Sequence, residues 1–126
     1  MTEKNINPVS SFRKYARYRY DCLDFNIFEI CETAKGGAAN KSEAAELVAV
    51  YLTIQTLEFV GKTETANAIR AVYFRYANRP LKKDEISWRV RSFANEFYMD
   101  ERTVYRHLKT AKELFLKFYE NGIKNI

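Results

Sequence analysis

One stretch near the C-terminal end of the chain concentrates positive charge without acidic partners. Residues 102–112 read RTVYRHLKTAK and contain four arginine or lysine residues, one histidine and no aspartate or glutamate. Arginine can donate paired hydrogen bonds to a guanine edge, and lysine attracts phosphate as a compact charge. The stretch therefore either binds a large anion such as nucleic acid or forms the solvated face of an ordinary helix.

Helical rotation separates these cations from an aliphatic seam. With Val104 at the centre of a buried face, a rotation of about 100° per residue places Leu108 and Ala111 within about 40° of it. Three cations fall on the opposite side of the helix, about 140–200° away: Arg102, Arg106 and Lys109. We therefore expect one face of this helix to be buried and the other to present cations to solvent.

A second basic segment, SFRKYARYRY, lies near the N-terminus and interleaves cations with aromatic side chains. Its cations are Arg13, Lys14, Arg17 and Arg19. Such interleaving suits nucleic-acid contact through phosphate attraction and stacking. Acidic residues, but no basic ones, occupy the turns that follow. The resulting charge asymmetry suits pairing with a second copy, or docking on an acidic partner, equally well.

The composition narrows the classes of protein that the chain can belong to. The 126 residues carry 21 basic and 16 acidic side chains, and 47% of them are hydrophobic, so we expect a folded domain with a modest basic balance. Two cysteines, Cys22 and Cys31, and a single histidine are too few for a structural zinc site. The chain also has no glycine-rich phosphate loop. We expect no metal, no cofactor and no enzymatic activity.

Two segments of the chain indicate its cellular location: the N-terminus and the longest apolar stretch. The start of the chain, MTEKNINPVSS, is polar and precedes no apolar stretch, unlike a secretory signal. Polar residues interrupt the longest apolar stretch, residues 47–60, so it is not expected to span a membrane. We expect a cytoplasmic protein with two reduced cysteines.

The pattern of apolar residues predicts an all-α fold. The four glycines and two prolines fall between segments of helical periodicity, and no sustained strand-like alternation occurs. Five helices are predicted, with the following bounds: from a cap at Ser10 or Ser11 to Gly36–Gly37, from about Asn40 to Gly61, from Thr63 or Thr65 to before Pro80, from about Asp84 to Phe97, and from Asp100 to about Gly122. The second helix is apolar nearly all round and is expected to be the buried, central one.

The last two predicted helices are separated by only three residues, 98–100. Asp100 is suited to cap the following helix, and Ala94 is small enough for close approach of the two helices. Three apolar side chains are expected to face inward and fix the angle between the two helices: Phe97, Val104 and Leu108. Two amphipathic helices with so short a link predict a helix-turn-helix. Tyr98 stands where this turn usually has glycine, which leaves the path of the turn open.

The segment ANEFYMDERTVYRHLKTA resembles the helix-turn-helix of sigma factor region four. The wider stretch, from AIRAVYFRYANRPLKKDEI through KELF, is similar to phage late-transcription regulators of the RinA/ArpU type, over roughly residues 66–120. The resemblance implies an activator of late phage genes. It also implies contacts with DNA from the residues at the matching positions: Arg102, Thr103, Tyr105, Arg106 and Lys109.

Together these features predict an all-α helical bundle with a C-terminal helix-turn-helix. Residues 1–61 form an N-terminal helical region for dimerisation or partner contact, and residues 62–126 form the DNA-binding region. The helix that starts at about Glu101 is expected to enter the major groove of double-stranded DNA, with Lys112 near phosphates. The basic N-terminal segment supplies a secondary contact with DNA or a partner. We expect the protein to form a homodimer and to contact RNA polymerase.

Two aromatic features leave an alternative open. The segment LFLKFYENG, residues 114–122, carries more aromatic side chains than one small core needs, which favours a protein-binding adaptor that contacts RNA polymerase or a sigma factor. Trp88 is expected to pack between structural elements rather than to recognise a ligand. Strong binding to duplex DNA would separate the regulator from the adaptor.

Overall fold

A computed structural model describes residues 6–21 and 41–125, and these residues form helices joined by turns. The helices are α1 (Pro8–Asp21), α2 (Lys41–Phe59), α3 (Thr63–Ile69), α4 (Glu85–Glu96) and α5 (Glu101–Asn125). A π-helical turn, Arg70–Phe74, continues α3. The described residues contain no strand, so the all-α prediction is confirmed for them. None of the helices described is long and apolar enough to cross a membrane.

The first helix begins earlier than its sequence predicts. The Asn7 side chain accepts a hydrogen bond from the backbone N–H of Val9 at 3.0 Å, and Pro8 occupies the first helical position, where no N–H is needed. The predicted cap at Ser10 or Ser11 is therefore wrong. Ser11 is buried and donates its hydroxyl proton to Glu46 of α2 at 2.5 Å. The predicted end at Gly36–Gly37 lies outside the described residues.

A glycine ends α2, as its position predicts. Gly61 takes a left-handed φ of 84°, and its N–H donates to the carbonyl of Glu58 at 3.2 Å. The next residue, Lys62, donates to the carbonyl of Leu57 at 2.8 Å. This pair of bonds satisfies the last carbonyls of the helix and turns the chain directly into α3.

The core joins the two regions that the sequence divides at residue 61. The Phe12 ring of α1 stacks on Tyr73, with centroids 5.6 Å apart, and contacts Phe115 of α5 at 5.5 Å. From α2, Val50 and Leu57 are fully buried in the same core. Helix α2 is not buried all round, because its apolar residues Leu52 and Phe59 are exposed, as is Val60 directly after it.

Arg13 holds the end of α3 in place. Its guanidinium donates to the backbone carbonyls of Tyr73 at 3.1 Å and Arg75 at 3.2 Å. It also donates to those of Tyr76 at 2.8 Å and Arg79 at 2.6 Å. Only 6% of Arg13 is exposed, so its predicted contact with DNA or a partner is wrong: the side chain binds carbonyls of the π-helical turn and of the turn that follows it. We call this arrangement the Arg13 clasp.

Glu85, the first residue of α4, fixes the loop that follows the clasp. Both of its carboxylate oxygens bond the guanidinium of Arg79, at 3.0 and 2.9 Å. The backbone N–H of Lys82 donates to it at 2.9 Å, and Arg89 donates at 2.5 Å. Arg89 also donates to the carbonyl of Val72, at 2.8 Å. The hydrogen bonds from Arg79 and then Lys82 hold the pKa of the Glu85 carboxyl well below its usual range.

We predict that Arg13→Ala lowers the free energy of unfolding by about 3 kcal/mol or more, because it removes the donor to the buried carbonyl of Tyr73 and to three partly buried carbonyls. Urea denaturation followed by circular dichroism measures the loss. Arg17→Ala is the matched control: Arg17 is exposed and, within the described part of the chain, makes one bond of 3.2 Å, to the carbonyl of Ala77, so its loss should cost less than about 1 kcal/mol. Equal losses in the two variants would contradict the clasp.

The lowered pKa of Glu85 predicts a dependence of stability on pH. Because the folded pKa lies below the unfolded one, the stabilisation is complete above about pH 5 and is lost as the pH falls. We expect the stability difference between the wild type and Glu85→Gln to shrink steadily between about pH 5 and pH 2. Urea titrations across this range measure it, with Glu113→Gln on the exposed face of α5 as the control. A constant difference would contradict the prediction.

Candidate nucleic-acid interface

The turn between α4 and α5 takes a left-handed path although no glycine is present. The N–H of Met99 donates to the carbonyl of Ala94 at 2.9 Å, and that of Tyr98 to the carbonyl of Asn95 at 3.5 Å. Tyr98 has a φ of 54°, the conformation that usually calls for glycine. Its side chain is 96% exposed, so burial does not offset the cost of this backbone.

Asp100 caps α5, and the helix begins at Glu101 as predicted. The carboxylate of Asp100 accepts the backbone N–H of Arg102 at 3.2 Å. Its backbone carbonyl accepts the N–H groups of Thr103 and Val104, at 2.9 and 3.2 Å. The first turn of α5 is therefore fixed before any partner binds, and it carries the positive end of the helix dipole.

The inner face of α5 confirms the predicted aliphatic seam. Val104, Leu108 and Ala111 are buried in the same core as Val90 and Ala94 of α4. Burial continues along α5 through the aromatic residues Phe115 and Tyr119. The expected surplus of exposed aromatic surface in residues 114–122 is therefore wrong for these two side chains.

Phe97 departs from its predicted inward position. It is 45% exposed, and its ring contacts that of Phe93, with centroids 4.6 Å apart. It follows the last residue of α4, where the chain has already left the helix. Helical rotation therefore no longer determines the direction of its side chain.

The outer face of α5 carries four of the predicted contact residues, which we call the cationic face: Arg102, Tyr105, Arg106 and Lys109. All four are exposed, and within residues 6–21 and 41–125 their three cations make no side-chain hydrogen bond or ion pair. Arg102 and Lys109 are about 10 Å apart along the axis at a rise of about 1.5 Å per residue. The next acidic residue on this side of α5 is Glu113, so the face is uniformly positive over about two turns.

The remaining predicted contacts on α5 lie at its flanks. Thr103 and Lys112 are both partly buried. The ammonium of Lys112 lies 5.8 Å from the centroid of the Tyr73 ring. Burial, and then the neighbouring Tyr105, raises the pKa of Tyr73 to about 12. On the other flank, Nδ1 of His107 lies 2.8 Å from the Thr65 hydroxyl, at the edge of the seam.

Two exposed residues of α4 were not identified as candidate contacts from the sequence: Trp88 and Arg91. Trp88 is 63% exposed, so its predicted packing role is wrong. Arg91 lies three residues further along the same side of the helix, and its Nε is 3.6 Å from the carboxylate of Glu101. Rotation about α4 places Trp88 about 160° from the buried Val90, and this signal could have identified it.

The basic N-terminal segment does not form one free patch. Lys14 bonds Glu46 at 2.8 Å, and its ammonium lies 3.8 Å from Glu43. Arg17 is exposed and reaches the carbonyl of Ala77 at 3.2 Å. The side chain of Arg19 lies outside what the structure describes. With Arg13 buried, the cations of this segment serve largely to attach α1 to α2 and to the end of α3.

No group of three or more histidine, cysteine, aspartate or glutamate side chains lies close enough to hold a metal ion within the part of the chain that the structure describes. Cys22 and Cys31 lie outside that part. Comparisons of the chain with protein-family models, with curated proteins and with solved structures give no match. The resemblance to phage late-transcription regulators therefore stays a prediction.

We predict that Tyr98→Gly raises the free energy of unfolding by about 0.5–1 kcal/mol, because glycine adopts the left-handed backbone without steric cost. Tyr105→Gly is the control. It introduces glycine inside α5 and should lower stability by about 0.5–1 kcal/mol. Thermal unfolding of both variants measures the two changes. A destabilised Tyr98→Gly would mean that this tyrosine makes a contact that its 96% exposure does not reveal.

Proposed function

We propose that the chain is a sequence-specific DNA-binding transcriptional regulator that uses α4, the turn and α5 as a helix-turn-helix. The observation that carries the proposal is the cationic face, whose cations are exposed and unpaired in the described part of the chain. It begins one residue after the capped N-terminus of α5, and the buried seam supports it from behind. A solvated face that served only solubility would need neither the fixed first turn nor a run free of acidic residues.

In this proposal the first turns of α5 enter the major groove. Arg102 and Arg106 reach base edges, where a guanidinium can bond guanine through two parallel hydrogen bonds. Lys109 lies a turn further on, where phosphates are nearer. On α4, Arg91 and Trp88 lie beside the groove and contact the sugar–phosphate backbone, as the first helix of such a pair commonly does. The N-terminus of α5 adds its dipole to the attraction.

The biological setting is proposed from the resemblance of residues 66–120 to RinA/ArpU-type regulators. On that basis the chain activates late phage genes as a homodimer and contacts RNA polymerase. A homodimer would place two α5 helices on half-sites about one helical turn of DNA apart. An operator with two related half-sites at that spacing is the expected form of its binding site.

One observation favours the adaptor as a second candidate. At the C-terminal end of α2, Phe59 is 91% exposed and Val60 is 56% exposed. Apolar side chains so exposed are typical of surfaces that contact another protein. An adaptor would use this end of α2 and would bind duplex DNA only weakly.

Binding of labelled duplexes, measured by fluorescence anisotropy, tests the proposal. A selection from genomic fragments supplies the cognate site, and a scrambled duplex serves as the reference. We expect Arg106→Ala to weaken cognate binding by about 1–3 kcal/mol and to relax the preference at one base pair. Lys109→Ala should weaken both duplexes alike and lower the salt dependence by about one unit.

Lys117→Ala is the matched control for both variants. Lys117 is an exposed cation of the same helix, but it lies beyond Glu113 and about 16 Å along the axis from Arg106. Its loss should change DNA affinity by less than about twofold. If all three variants bind like the wild type, the cationic face is a solvated helix face and the adaptor becomes the better interpretation.

A further inference from the structure

A second basic surface lies where α1, the end of α3 and the end of α4 meet. It is a groove of about 540 Å³, and no residue of α5 lines it, so it is separate from the cationic face. Among the described residues, three arginines line the groove: Arg17, Arg70 and Arg75. We call it the arginine groove. Glu96 is the acidic residue among the described part of its lining.

The three arginines differ in how far their charge is already satisfied. Arg70 bonds Glu58 at 2.6 Å and Asn67 at 3.0 Å. Among the described residues, Arg17 makes one bond, of 3.2 Å, to the carbonyl of Ala77, and its other donors have no partner there. The guanidinium of Arg75 is exposed and has no hydrogen bond or ion pair among the described residues. Arg75 and Arg17 are therefore the cations that can bind an added anion.

Aromatic side chains form the floor and the rim of the groove. Phe74 and Phe93 lie at its floor and are almost fully buried, whereas Tyr76 and Phe97 are exposed at its rim. The Phe97 ring already packs on Phe93, and the guanidinium of Arg79 lies 5.1 Å from the centroid of the Tyr76 ring. With their faces partly occupied, these rings are poorly placed to sandwich a nucleotide base, but they can accept an aliphatic or aromatic side chain.

We propose that the arginine groove binds an acidic peptide segment of a partner protein, in which carboxylates flank an apolar side chain. The carboxylates pair with Arg75 and Arg17, and a guanidinium can hold a carboxylate through two hydrogen bonds. The apolar side chain covers Phe93 and Phe97 at the end of α4. The amides of Asn67 and Asn78, which also line the groove, can bond the backbone of an extended peptide.

Selection of peptides on the full chain tests this directly. A phage library of random 12-residue peptides is selected on the immobilised wild-type protein, and the enriched peptides are sequenced. We expect sequences that combine aspartate or glutamate with phenylalanine, leucine or tryptophan. For the most enriched peptide, measured by fluorescence anisotropy, Arg75→Glu should weaken binding by about tenfold or more through like-charge repulsion. Circular dichroism verifies that the variant is folded.

Lys109→Glu is the matched control, since it makes the same charge reversal on the cationic face. It should reduce the binding of duplex DNA and change the affinity for the peptide by less than about twofold. Arg75→Glu should reduce the binding of the peptide and change the affinity for duplex DNA by less than about twofold. The two proposals can therefore fail separately. The proposal is overturned if no peptides are enriched, or if the enriched peptides lack acidic residues. It is also overturned if Arg75→Glu binds the peptide as tightly as the wild type does. A single-stranded dT12 oligonucleotide that displaces the peptide, and whose own binding requires Arg75, would likewise overturn the proposal, because the groove would then bind nucleic acid.

Discussion

The end of α3 leaves a run of backbone carbonyls without helical partners, and the fold depends on how these are satisfied. Arg13 binds four of them, between Tyr73 and Arg79. The negative end of a helix dipole favours a cation at this place. Burial, and then the nearby Arg89, lowers the pKa of the Arg13 guanidinium, yet arginine stays charged in proteins. A buried cation at this point is stable because carbonyl oxygens surround it.

The clasp also connects α1 to the helices that form the candidate interface. Arg89 of α4 donates to the carbonyl of Val72, in the π-helical turn next to the carbonyls that Arg13 binds. Helices α1 and α4 are thus attached to the same end of α3, and Glu85 closes the loop between α3 and α4. Helix α4 then supports α5 through Ala94 and the turn that follows it. Helix α5 also packs on α2 and α3, so this series of contacts is one of several that connect the cationic face to the rest of the fold, and it is the one that reaches back to α1.

Periodicity was sufficient to predict what is local to one helix. The seam of Val104 and Leu108, the cap at Asp100 and the break at Gly61 follow from spacing and residue type within a few positions. The role of Arg13 could not be predicted in this way, because its carbonyl partners lie 60 to 66 residues further along the chain. In a basic, aromatic segment, the local sequence does not distinguish an arginine that points to solvent from one that binds the end of another helix.

The two exposed tyrosines with a left-handed backbone connect the fold to both surfaces. Tyr76 has a φ of 51° and lines the arginine groove, and Tyr98 has a φ of 54° and lies in the turn before the cationic face. Stability alone would favour glycine at Tyr98, whose side chain is almost fully exposed, whereas the Tyr76 ring is contacted by the guanidinium groups of Arg79 and Arg89. Local strain of this kind persists mainly where an exposed side chain contributes to function. Both tyrosines thus adjoin the surfaces proposed here to bind partners, whereas Asp84, with a φ of 65°, precedes α4 and is a residue type that tolerates this backbone.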